Sequence, residues 1–379
     1  MIKFNNGNKT PAKMFAFTRE HKNSDYKILV FEWWDWLWSQ PGWDPMLKVQ
    51  DLNRKKSSER HILRANLSTD EIIAEVKEHD ICFFIISEVI GCHNIKAGKA
   101  EVIENMMTEL NKLNVFFITL SEDSQYPTDT SKTFNVPWFA KSGLYTSNDT
   151  TIDFDYRQKD YTFNMLLGVD KHYRTLLFEL LRNEQYIYST YFGHKEFRPF
   201  SSTHLEDNDV LDNFYSQDVS SSRLETMQHV VRRGGRNICL SHNIPEKIYN
   251  NSHFDIVTET QTQIETLNFT TEKTGKPLST GRFFIWYNSP HKVEYLRQFG
   301  FELQDYLSEY DGKKCNIDRM AAVNYLIREI GDNENYIKKI YKDTKEARIH
   351  NQEVFKKLST TIRSDIDSWI TEQIDRNWR

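Results

Sequence analysis

Two short apolar runs constrain the fold of this chain more than any other feature: Asp80–Ser87 (DICFFIIS) and Asn114–Leu120 (NVFFITL). A strand that is apolar at nearly every position must be covered on both faces, as happens in parallel sheets flanked by helices. Between the runs, Lys99–Leu113 sets Val102, Ile103, Met106 and Leu110 at helical spacing. Strand, helix, strand at this spacing is a βαβ unit. Upstream, Lys27–Phe31 reads as a further strand, and Thr69-Asp70 is a good N-cap for a helix over Glu71–Glu78. Residues 1–155 are therefore expected to form a Rossmann-like α/β domain.

Ser124–Arg157 is rich in Ser, Thr, Asp and aromatics and reads as a connection or a pair of short β elements, with a domain boundary near its end. A second α/β unit follows over residues 156–316. Thr162–Leu167 is a strand, and Gly168-Val169-Asp170 a turn. Lys171–Asn183 is a helix expected to turn Leu176, Leu177, Leu180 and Leu181 inward, and Tyr186–Tyr191 is the next strand. Phe254–Thr258 and Phe283–Tyr287 supply two more strands, and Ser289–Phe299 a short helix. From 317 to 379 the pattern is helical, with stripes Met320/Val323/Leu326/Ile327, Ile337/Ile340/Tyr341 and Ile362/Ile366/Trp369/Ile370. This last segment is expected to pack back on the domains.

At 379 residues the chain suits two domains or one large one. It holds no run of 18 apolar residues, so no membrane span is expected, and MIKFNNGNKT lacks the apolar core of a secretory signal. The four cysteines (Cys82, Cys92, Cys239, Cys315) have no CxxC spacing, which argues for free thiols in a reducing cytoplasm and against a zinc site. A net charge of −5 argues against a protein coated in basic charge for nucleic acid, although it leaves room for a local basic groove.

The residues best placed for chemistry lie where strands end and helices begin, since open α/β sheets bind ligands there. Glu259 closes a strand; Thr271, Glu272 and Lys273 open a helix, with Lys276 one turn on. A carboxylate can accept from two sugar hydroxyls, and cations or helix amides can face a diphosphate. The same residues also read as an ordinary helix start, with Thr270 or Thr271 as N-cap and Glu272 favouring the dipole. Lys171 and Arg174 open the helix after the second unit's first strand and could neutralise a pyrophosphate, or form a solvated face. Asp153-Phe154-Asp155 and Glu206–Asp209 could hold Mg²⁺ or Mn²⁺, but both lie in loop-like sequence and read better as solvated acidic loops.

The pattern F-x-T-E-K-T-x-K-P-L-x-x-G-x-x-F-I over Phe269–Ile285 resembles a family of phage and bacterial glycosyltransferase-like proteins. It is continued by Ser289-Pro290 and by Leu296–Phe301, with Tyr249–Glu259 resembling the lead-in strand and Phe163–Arg174 an earlier strand, turn and helix. It is similar, more distantly, to the T-E-K-L signature of fucosyltransferase-type GT-B enzymes. The resemblance covers roughly residues 160–305. It departs from the pattern at Gly275, where the family carries a bulky aromatic, at Arg282-Phe283, and at the turn Gly168–His172, which keeps only Lys171 and Arg174 of a basic run. It implies a GT-B-like fold of two Rossmann-like domains facing a cleft. It also implies a nucleotide-sugar site built from Lys171, Arg174, Glu259, Thr271, Glu272, Lys273 and Lys276, with no cofactor and no essential Mg²⁺ or Mn²⁺.

Acceptor residues are then expected in the first domain. Trp33, Trp34 and Trp36 suit sugar faces or bases, and Asp35, Glu88 or Glu32 could deprotonate a hydroxyl. His93, His242 and His253 are rivals, although a lone histidine is more often structural. Arg232, Arg233 and Arg236 form a basic turn that could approach a phosphate backbone. Two acceptors compete: a hydroxymethylated base in phage DNA and a surface saccharide. A non-catalytic sugar- or nucleotide-binding module and a metal-dependent GT-A-like transferase are the alternatives.

Overall fold

A computed structural model describes residues 28–34, 46–51, 62–65, 69–86, 105, 107–119, 122–123, 130–141, 154–167, 171–191, 230–233, 236–239, 244, 246–259, 267–268 and 270–377. The chain divides into two compact units. The first comprises residues 1–137 with 266–269 and 361–379; the second comprises 138–265 and 270–360.

The first unit is built on a six-stranded sheet: β1 (Ile28–Trp34), β2 (Met46–Asp51), β3 (Ile62–Ala65), β4 (Ile81–Ile86), β5 (Val115–Thr119) and β6 (Thr133–Asn135), in the order β3-β2-β1-β4-β5-β6. β1, β4, β5 and β6 run parallel, with Phe84 opposite Phe31 and Phe117. Helix α1 (Thr69–Lys77) precedes β4, and residues 107–111 are helical before β5. The two apolar runs thus become neighbouring parallel strands. All five residues of β5 are buried, each large apolar side chain contributing about 1.5–3 kcal/mol.

β2 and β3 extend the sheet antiparallel from β1, an addition that the period-2 signal did not single out. β1 also runs to Trp34 rather than ending at Phe31, so Trp33 and Trp34 are strand positions registered with Leu47 and Met46 instead of a loop beyond the strand. Aromatic residues favour extended backbone.

The second unit carries a parallel four-stranded sheet. Its elements are α2 (Trp138–Lys141), β7 (Tyr161–Leu167), α3 (His172–Leu181), β8 (Ile187–Tyr191), the hairpin β9 (Val230–Arg233) and β10 (Arg236–Cys239), α4 (Glu246–Asn251), β11 (Ser252–Thr258), α5 (Glu272–Ser279) and β12 (Phe284–Tyr287). α6 (Lys292–Gln298), α7 (Asp305–Asp311), α8 (Asn316–Ile330) and α9 (Glu334–Asn377) follow. The sheet order is β12-β11-β7-β8, all pairs parallel. Every residue of β11 and β12 is buried, which explains their unbroken apolar character.

The inward face of α3 differs from the leucine stripe expected for it. Tyr173, Arg174, Leu177, Phe178 and Leu181 are buried, whereas Leu176 and Leu180 are 43% and 40% exposed. The stripe shifts because Tyr173 and Arg174 reach toward the end of β11, which fixes the rotation of the helix.

The C-terminal stripes are buried as their spacing predicts: Met320, Val323, Leu326 and Ile327 on α8, then Ile337, Ile340 and Tyr341, and Ile362, Ile366 and Ile370 on α9. Within the first unit, the half-buried Trp369 packs against Phe83, Phe116 and Phe134, with ring centroids 6.3, 6.1 and 5.5 Å away.

Candidate functional site

The strand order of the second unit contains a reversal. From β7 the chain passes through α3 to β8 on one side; from β11 it passes through α5 to β12 on the other. β7 and β11 are neighbours whose connections leave in opposite directions, so their carboxyl ends flank a topological switch point. Crevices at such points are the ligand sites of open α/β sheets.

Two side chains from α3 span this point. Arg174, 2% exposed, donates from Nη2 to the carbonyls of Thr258 and Glu259 at 3.2 and 3.1 Å. The Tyr173 hydroxyl donates to the Glu259 carbonyl at 2.5 Å. They hold the end of β11 against the start of α3 and satisfy carbonyls that the sheet has left behind.

The Glu259 carboxylate is fully buried and turns toward α5. Oε1 accepts from the Thr271 N–H at 3.1 Å and from the Thr274 hydroxyl at 2.5 Å; Oε2 accepts from the Thr271 hydroxyl at 2.6 Å. A buried carboxylate is costly unless so satisfied. Thr271 is the N-cap of α5, its Oγ1 accepting from the Lys273 N–H at 3.4 Å and from Lys273 Nζ at 3.1 Å. Lys273 Nζ also pairs with Glu272 Oε1 at 2.9 Å. The Glu272 and Lys273 side chains are 20% and 21% exposed, and Lys276 is half-buried.

The switch-point residues therefore separate by role. Glu259, Arg174 and Thr271 hold the end of β11 against the starts of α3 and α5, whereas Glu272 and Lys273 border solvent. Thr270 Oγ1, just before the α5 N-cap, and Asn288 Nδ2, just after β12, are buried and make no hydrogen bond among the described residues.

The three helix N-termini at this edge differ. That of α6 is closed by Asp311, whose carboxylate accepts from the Lys292 and Val293 N–H groups at 3.0 Å each and is pushed up in pKa by burial. That of α5 is capped by Thr271 above Glu259. At α3 the N-cap residue is the half-buried Lys171, whose own side chain makes no capping hydrogen bond, and the first turn carries no acid. An amide dipole with a cation beside it, as at α3, favours an anion.

The remaining sequence candidates fall elsewhere. Asp35, Trp36, Glu88, His93, His242, Asp153 and Glu206–Asp209 lie outside the described residues. Glu32 is a β1 position opposite Lys48 and Ile85. Arg232, Arg233 and Arg236 lie on the β9–β10 hairpin, with Arg233 opposite Arg236. Asp155 pairs with Lys345 at 2.6 Å. His253 is buried in β11 at the far edge of the sheet; burial, then Lys159 and Arg282, lower its pKa to about 4.

Sequence reasoning missed Tyr173 and Thr274. The Thr271/Thr274 spacing of three sets two hydroxyls on one helical face, but nothing local identifies Glu259 as their acceptor. Among the described residues, no cluster of three His, Cys, Asp or Glu could hold a metal ion, and no helix is long and apolar enough to cross a membrane. No family model and no curated protein matches the chain.

Proposed function

We propose that the second unit binds a nucleoside-diphosphate sugar at the carboxyl edge between β7 and β11, and that the protein transfers the sugar to an acceptor hydroxyl in the manner of a GT-B glycosyltransferase. The observation that carries this reading is the switch point itself, with the N-terminus of α3 and Lys171 on one side and the half-buried Glu272–Lys273 pair on the other.

Each residue has a role under this reading. Lys171, Lys273 and the α3 amides stabilise the negative charge that grows on the departing diphosphate. Lys276 adds to the same field. Glu272 accepts hydrogen bonds from ribose or sugar hydroxyls. Thr270 and Asn288 offer polar groups with hydrogen-bonding capacity still unmet. Glu259, Arg174, Tyr173 and Thr271 hold the end of β11 against the starts of α3 and α5. The first unit supplies the acceptor side, with Asp35 or Glu88 as general base.

Donor hydrolysis tests the proposal. Slow release of UDP or GDP from the matching nucleotide sugar, abolished by Glu272→Ala in a variant that still folds, is the expected result. Tight nucleotide binding without turnover of any donor would overturn the transferase reading and leave a binding module.

A further inference from the structure

Two buried side chains at the carboxyl edge of the second unit's sheet carry hydrogen-bonding capacity that the protein itself does not use. Thr270, the residue before the α5 N-cap, is 2% exposed, and its Oγ1 makes no hydrogen bond among the described residues. Asn288, the residue after β12, is 3% exposed. Its Oδ1 accepts from the Ser289 N–H at 2.7 Å and its carbonyl accepts from Arg319 Nε at 2.8 Å, but its Nδ2 has no partner among the described residues. Buried polar groups are nearly always hydrogen-bonded, and each exception costs stability.

The register of the sheet brings the two residues to one place. Thr258 of β11 lies opposite Tyr287 of β12, and the Glu259 N–H donates to the Tyr287 carbonyl at 3.1 Å. One further step along these parallel strands sets Asn288 beside Glu259, on the same face of the sheet. α5 covers that face, because the Glu259 carboxylate accepts from the Thr271 and Thr274 hydroxyls. Thr270 directly precedes Thr271. Asn288 and Thr270 therefore both adjoin Glu259 at the N-terminus of α5.

Charge distinguishes this end of the edge from the start of α3. There, Lys171 and Arg174 stand in a first turn without an acid. At α5, Glu259 and Glu272 balance Lys273 and Lys276. A diphosphate is drawn to the first place, whereas the second suits neutral polar groups. The Asn288 Nδ2 can only donate, and the Thr270 hydroxyl donates or accepts; ligand hydroxyl groups match both.

We propose that Thr270 and Asn288 recognise ring hydroxyl groups of the nucleotide sugar, an inference that rests on the donor-site reading given above. Asn288 Nδ2 donates to one hydroxyl oxygen, Thr270 Oγ1 bonds its neighbour, and Glu272 accepts from the ring at the solvent side. Both atoms are covered by protein in this structure, so the bonds form as the ligand displaces part of that cover. Ribose and the transferred sugar offer the same chemistry, and the test separates them.

Thr270→Val keeps the shape of the side chain and removes its hydroxyl; Thr270→Ser keeps the hydroxyl. Without ligand, Thr270→Val is expected to unfold at the wild-type urea concentration or above it, since no hydrogen bond is lost. UDP, GDP, their 2′-deoxy forms, UDP-glucose and GDP-mannose are then titrated calorimetrically into wild type and variants. Thr270→Val and Asn288→Ala should each weaken binding about fivefold, the size of one hydrogen bond, with Thr270→Ser within about twofold of wild type. A loss seen with UDP or GDP but not with the 2′-deoxy form assigns the hydroxyls to ribose. A loss confined to UDP-glucose or GDP-mannose assigns them to the transferred sugar. If the wild type binds none of these, the donor-site reading fails and this inference with it. If it binds one and Thr270→Val keeps wild-type affinity for all, or Thr270→Val unfolds at clearly lower urea, this inference alone is wrong.

Discussion

Arg174, in the first turn of α3, donates from Nη2 to the main-chain carbonyl of Glu259 at 3.1 Å. This contact joins the two chain segments that leave the switch point in opposite directions, so one buried side chain sets the spacing of the edge where the ligand is proposed to bind. Arg174→Met keeps the length of the side chain and removes its donors. It should cost about 2–3 kcal/mol in urea unfolding, the range for buried hydrogen bonds to a charged group, and weaken nucleotide binding under conditions where the variant is still folded.

The two glutamates of the edge should respond oppositely to the same substitution. Glu259→Gln places an amide where three donors converge and should lower stability by about 1.5–3 kcal/mol. Glu272→Gln, at the half-exposed rim, should shift the unfolding midpoint by less than about 1 kcal/mol yet reduce nucleotide-sugar affinity. Urea titration and calorimetric binding on both variants separate positioning from recognition.

The sequence made the strands of the switch point legible because parallel, doubly covered strands must be apolar throughout. Phe163, Met165, Phe254, Ile256 and Ile285 leave no other reading. It also made Thr271 legible as a cap. It did not reveal the rotation of α3, because Leu176 and Leu180 form as good an apolar stripe with Leu177 and Leu181 as the face that is buried. Tertiary hydrogen bonds from Tyr173 and Arg174 decide between them, and these depend on Glu259, some 85 residues on. For the same reason Glu259 read as a ligand group: nothing local shows that Thr271 and Thr274 fold back over it.

His253 makes stability depend on pH. Its folded pKa of about 4 lies below the ordinary histidine value near 6.5. Between these values the unfolded chain binds a proton that the folded chain refuses. Stability therefore falls as pH drops from about 6.5 toward 4, by at most about 3 kcal/mol. His253→Gln should flatten this slope in urea unfolding from pH 7 to 4.5; an unchanged slope would assign it to other groups.

Gly281 has φ +62°, and a Cβ there would lie 2.6 Å from a Phe154 ring carbon and 3.1 Å from the Arg348 carbonyl oxygen. Both the left-handed backbone and the close approach oppose any side chain. Gly281→Ala is expected to destabilise the protein by about 1–3 kcal/mol in chemical unfolding.

Calorimetric titration of UDP and GDP into the wild type, Lys171→Met and Lys273→Met tests the central claim most directly. The account predicts that one nucleoside diphosphate binds the wild type, and that each substitution weakens it at least about tenfold, about 1.4 kcal/mol, with little change in unfolding midpoint. Absence of binding by either diphosphate, or equal affinity in all three proteins, would contradict a diphosphate site at the β7–β11 switch point.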